Sequence, residues 1–153
     1  MIEITLTGRE IVQGAFVGIM RQVECIARQS KNQHGAKRDW QIHIEGALGE
    51  MAFSKAVGVY WSAITKFGGR DAGAYEVRTR SKHHYELIVR DSDADNVDVR
   101  FVLVTGSNGS YVIRGWIRGR DAMRDEWRKG HGGREPAWFV PQCELCDEFG
   151  VTG

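Results

Sequence analysis

The spacing of apolar residues changes at Gly58, and that switch constrains what this chain can fold into more than any other feature. Before it, Val12, Phe16, Ile19, Val23 and Ile26 recur at the spacing of one helix face. After it, apolar and polar residues alternate in short runs separated by glycine, which is the repeat of β-strands. Helices followed by a strand meander, in a chain of 153 residues, read as one domain of the α/β (α+β) class. The expected architecture is one mixed sheet with helices packed on its faces. No linker, internal repeat or low-complexity segment divides residues 1–153.

The local signals set the element boundaries. Thr7-Gly8-Arg9-Glu10 has the form of a capping box, so a long amphipathic helix is expected from about 8 to 30. Gly14 and Gly18, one turn apart, permit close approach of another helix, within the chain rather than as a dimer seam. The polar, basic segment 31–40 (KNQHGAKRDW) reads as a loop. A second helix is expected over about 42–57, with Ile44, Ala47, Leu48 and Met51 as its apolar stripe, Lys55 snorkelling from its last turn and Gly58 stopping it. Strands are expected near 60–66, 74–80, 84–90, 99–105 and 110–117. A short helix over about 119–129, the loop GHGGREP and a final apolar piece, AWFVP, complete the chain.

Composition narrows the function classes. No run of about 18 apolar residues is present, so no membrane span is expected. The start, MIEITLTGRE, lacks a basic region followed by an apolar one, so no signal peptide is read. With Cys25, Cys143 and Cys146 as the only cysteines, this favours a reducing, cytoplasmic setting. The net charge of +1 does not announce a nucleic-acid binder, but the bases cluster in KNQHGAKR, RTRSK and IRGWIRGR, and a phosphate-binding face is compatible with that distribution. Cys143 and Cys146 form a lone C-x-x-C whose only nearby further zinc ligands are His131 and Glu144; two thiols in a C-terminal turn is the plainer reading. The acidic stretch from Asp91 to Asp98 begins like a calcium loop but lacks the glycine and the closing glutamate, and reads as a solvated turn. Arg114, Arg118, Arg120 and Arg124, interleaved with Trp116 and Trp127, suit backbone contacts to nucleic acid and suit equally a solvated rim around core tryptophans.

The segment that can carry chemistry is Gly69-Arg70-Asp71-Ala72-Gly73-Ala74-Tyr75-Glu76-Val77-Arg78-Thr79-Arg80. With Gly73 in a hairpin turn, Asp71 and Glu76 oppose each other across the strands. Two like charges that close repel, and hard carboxylate oxygens suit Mg²⁺ or Mn²⁺. Strand period then puts Glu76, Arg78 and Arg80 on one face. On the second helix, His43 and Glu50 are seven residues apart and share a face at the margin of the apolar stripe, from which Glu50 leans toward Asp71 and Glu76. His83 and His84, being consecutive, point to opposite faces and cannot both be ligands.

A helix bearing Gly46-Ala47-Leu48-Gly49-Glu50, then Asp71, then Glu76-Val77-Arg78, resembles the PD-(D/E)XK nuclease superfamily. The segments VRTR, ELIVRDSDAD, RGWIRG and WFVP look like small phage and prophage proteins of that group. The resemblance covers roughly residues 40–140. It implies a restriction-endonuclease-like fold with a mixed central sheet flanked by helices. It further implies phosphodiester hydrolysis with Mg²⁺ or Mn²⁺ held by Asp71, Glu76 and Glu50, in the cytoplasm of a bacterial host. Arg78 stands where the family usually has lysine. It stays protonated and cannot relay a proton, but it can steady a phosphate. Arg70 replaces the proline of the family name. The expected partner is DNA, duplex or branched, contacted by Arg78, Arg80, Lys82, His43, Lys37 and Arg38, and pairing of two copies is compatible with cutting two strands. The alternatives are a catalytically degenerate module that binds DNA or a host protein without cleavage, and a structural or protein-inhibiting factor.

Overall fold

The computed structural model describes residues 1–28, 39–63, 70–130, 133 and 135–150. Strand β1 (Ile2–Thr5) leads into helix α1 (Gly8–Ala27) and helix α2 (Asp39–Val57). Strands β2 (Tyr75–Arg80), β3 (Leu87–Arg90), β4 (Arg100–Ser107) and β5 (Ser110–Arg118) follow. A one-turn helix α3 (Gly119–Ala122) and strands β6 (Arg128–Lys129) and β7 (Ala137–Val140) close the order. The expected helix over 119–129 is instead α3 followed by a separate 3-10 turn at Asp125–Trp127. The expected strand near 60–66 is reduced to a bridge between Trp61 and Ala72, its remainder lying largely outside the described residues.

Two sheets form where one was expected. The larger is four-stranded in the order β1-β5-β4-β2, the smaller three-stranded in the order β3-β7-β6. The larger is mixed: β2 runs parallel to β4, with Val77 opposite Val102, while β5 pairs antiparallel with β4 and β1. The two sheets divide the interior. On one side of the larger sheet α2 buries Leu48, Ala52 and Phe53 against Tyr75, Val102, Val104 and Ile113. On the other, Phe101, Leu103 and Ile117 pack against Leu87, Val89, Trp138 and Val140 of the smaller sheet. Helices therefore cover one face of the central sheet and a second sheet covers the other, which corrects the expectation of helices on both.

The start of α1 is the expected capping box. Glu10 N–H donates to Thr7 Oγ1 at 3.3 Å and Thr7 N–H donates to Glu10 Oε2 at 2.6 Å. Lys55 reaches the same carboxylate, 2.8 Å away, and the Thr5 carbonyl at 3.2 Å, so its position inside the α2 stripe is explained by a tether to α1. The face that α1 turns inward is not the apolar one. Gly14, Gly18 and Gln22 are its buried residues, while Val12, Phe16, Ile19, Met20, Val23 and Ile26 are exposed. The reason is distance. A Cβ on Gly18 would lie 2.6 Å from Ile44 N and 2.7 Å from the His43 carbonyl oxygen, so the helices meet backbone to backbone where only glycine fits. The glycine pair thus serves packing within the chain.

Candidate active site

The turn that was to bring two acids together is present. Ala72 and Tyr75 exchange backbone hydrogen bonds, Tyr75 N–H to Ala72 O at 3.0 Å and Ala72 N–H to Tyr75 O at 3.3 Å, around Gly73 at φ 58°. That left-handed value is what glycine allows at low cost. Strand β2 lies at the sheet edge with its outer amides unpaired by any strand. Asp71 folds back and its Oδ2 accepts the Val77 N–H at 2.7 Å. The carboxylate is thereby pinned at the rim of the sheet.

Glu50 comes to the same rim from α2. It is 5% exposed and is held by two residues that the sequence did not single out. Arg21 of α1 forks onto it, Nη1 to Oε1 at 2.6 Å and Nη2 to Oε2 at 2.7 Å, and Trp61 Nε1 donates to Oε2 at 3.1 Å. Arg21 lies next to the Gly14–Gly18–Gln22 face, so the only sign of it in the sequence is a cation on the inward side of a glycine-lined helix. Glu76 turns to Arg78, whose Nη1 donates to Oε1 at 2.9 Å.

The electrostatics follow from this crowding. Burial, reinforced by the charges of Glu50 and then Glu76, pushes the Asp71 carboxyl up to about 8, against the opposing pull of the Val77 amide and Arg78. Glu76 is also raised, chiefly by burial, although Arg78 and Arg70 draw it down. Asp71, at the junction of α2, the Gly73 turn and β2, thus feels both neighbouring acids. Oxygen donors with an excess of negative charge suit a hard divalent cation. As they stand, Glu50 is committed to Arg21 and Trp61 and Glu76 to Arg78. Among the described residues no three His, Cys, Asp or Glu side chains are gathered tightly enough to hold an ion together.

Arg78 sits in the cluster but faces a partner the sequence reading missed. Its Nη2 donates to both oxygens of Asp93, at 2.9 and 3.0 Å, its guanidinium stacks 5.4 Å from the Phe101 ring centroid, and its Nε has no hydrogen-bond partner. Asp93, expected in a solvated acidic turn, is instead buried; its Oδ2 also accepts the Arg90 N–H at 2.9 Å. Burial in that stretch selects Asp93 alone of the aspartates.

The other expected contacts disperse. Arg80 donates to the Glu86 carbonyl at 3.0 Å and stacks on Tyr85 at 4.6 Å. Lys82 is exposed in the turn after β2. His43 is half-buried on α2 with Nε2 3.8 Å from Cys25 Sγ. Lys37, Arg38 and His131 lie outside the described residues. Cys143 and Cys146 are exposed free thiols, and the Cys146 backbone pairs with Trp116. The arginine and tryptophan mixture resolves toward structure: Trp127 is buried with Arg124 stacked on it at 4.5 Å, Trp116 Nε1 donates to the Glu148 carbonyl at 2.8 Å, Arg114 donates to Thr105, and Arg120 pairs with Asp98. No helix of the described residues is long and apolar enough to cross a membrane. No family model, curated protein or solved structure matches the chain.

Proposed function

We propose that this chain is a metal-dependent DNA nuclease with a restriction-endonuclease-like core. The observation that supports the reading is that Asp71, in a tight turn before the edge strand of a mixed sheet, feels the charges of both Glu50 from a helix and Glu76 from the strand. Asp71 and Glu76, with Glu50 once Arg21 yields it, would hold Mg²⁺ or Mn²⁺. When bound, such an ion supplies a Lewis acid for the scissile phosphate and acidifies a water. The chain's own residues do the rest. Asp71 is positioned by the Val77 amide. Arg21 and Trp61 orient Glu50. Arg78, fixed between Glu76 and Asp93, contributes a permanent positive charge beside the phosphate and no proton transfer. Exposed Arg70 and Lys82 are the cations best placed to meet DNA backbone. A cytoplasmic setting in a bacterial host belongs to the same reading.

Nicking of supercoiled plasmid with Mg²⁺ or Mn²⁺ tests it. Wild type is expected to cleave, and Asp71→Asn and Glu76→Gln are each expected to lose roughly 100-fold or more. Absence of cleavage by the wild type with either ion overturns the enzyme.

One set of contacts favours a second reading. Glu50 and Glu76 each already hold an arginine at hydrogen-bond distance, as expected of a site whose charges have been retired into structure. On that reading the fold binds DNA or a protein without cutting. Salt-sensitive retention on DNA, with no cleavage, is its signature.

A further inference from the structure

We propose that the outer face of α1 is a self-association surface, on which a second copy of this chain packs in a symmetric helix-to-helix dimer. Val12, Phe16, Ile19, Val23 and Ile26 alternate spacings of four and three along the helix, and with Met20 they are 40 to 69% exposed. That alternation is the heptad repeat of a seam made for another helix. A lone helix lying on its own domain needs no such stripe on its outer side. Here the domain is met by the opposite face, Gly14, Gly18 and Gln22, so the stripe is additional to the fold.

Two observations select a second copy as the occupant. The first is area. Six side chains of this size at these exposures present on the order of 600 Å² of apolar surface per protomer, at the upper end of what monomers expose. Doubled across a two-fold axis, that falls at about the 1,200 Å² where stable interfaces begin. The second is charge. The residues that flank the stripe at the positions governing helix pairing are Gln13, Met20 and Ala27 on one side and Ala15 on the other, where Gln22 is already turned into the domain. None carries a charge, so nothing repels an identical helix or demands a complementary one. The rigid mounting of α1 also favours association, because Gly18 against Ile44, Lys55 on Glu10 and Arg21 on Glu50 fix the helix before any partner arrives.

The test is sedimentation velocity of the full chain across roughly 1 to 100 µM, a range set by the affinity expected of an interface at the lower end of stable sizes. The protomer mass is 17.2 kDa, and the expected result is a reversible shift to twice that value. Phe16→Glu and Val23→Glu are each expected to weaken the dimer roughly 100-fold or more, with circular dichroism unchanged because both positions are exposed. Val97→Glu, at an exposed apolar residue away from α1, is the control expected to remain dimeric. A wild type that stays at the protomer mass throughout overturns the proposal. So does a dimer that survives both stripe substitutions while the helix remains folded.

Discussion

The two sides of the central sheet are built on different terms. Toward the smaller sheet, Phe101, Leu103, Leu87, Val89 and Val140 are fully enclosed by one another, and charge enters at Arg78 and Asp93. Toward the helices, the interior includes a carboxylate held by a guanidinium from another helix and a backbone contact that admits glycine alone, with an aspartate at its margin whose carboxyl burial pushes up. The first side is mostly apolar packing, with its charges paired at the edge. The second gives up dry packing to hold Glu50 against Arg21, with Asp71 at its margin. Proteins make that exchange where a site is built, because ionisable groups kept partly desolvated are costly and chemically useful.

The largest expected effect breaks the helix side at its ion pair. Arg21→Met leaves Glu50 buried without its counter-charge and is expected to cost about 4 kcal/mol in urea unfolding, with the double variant Arg21→Met/Glu50→Leu recovering most of it. Recovery absent, the pair does more than neutralise itself. Next comes the opposite side. Leu103→Ala removes a fully enclosed side chain and is expected to cost about 3 kcal/mol, equally at pH 5 and pH 8. A marked pH dependence there would erase the contrast between the two sides.

The smallest effect sharpens the contrast by its sign. Asp71 is raised from 3.8 to about 8 in the folded chain. Between those values the folded state holds a proton that the unfolded chain has released. Stability from this group is therefore complete below pH 3.8 and falls as pH rises toward 8. Asp71→Asn, neutral throughout, is expected to be more stable than wild type by about 2 kcal/mol at pH 8, with the gap closing toward pH 4. Thermal melts of the two proteins across that range check it; a wild type that gains stability as pH rises contradicts the raised carboxyl.

Much of this was legible in the residues. The Thr7–Glu10 box, the stop at Gly58, the Gly73 turn and the alternation of β2, β4 and β5 are local, and each formed within a few positions of its expected place. The same turn places Asp71 and Glu76 on either side of Gly73, but their side chains take different partners, the Val77 amide and Arg78. Strand β1 was missed although Ile2 and Ile4 alternate with polar residues, because four residues carry little periodic signal. Glu50 was placed near the pair, but its ties to Arg21 and Trp61 join segments far apart in sequence, and Asp93 could not be told from its neighbouring aspartates until burial selected it.

What the sequence determined alone is the set of elements, because capping, turn chemistry and side-chain period act between residues a few positions apart. What only the tertiary structure decided is which way they face. The apolar stripe of α1 marks a surface that avoids water without saying what covers it. The glycine face took the interior because two backbones can meet only where no Cβ intervenes, and that condition involves Gly18 and Ile44 together.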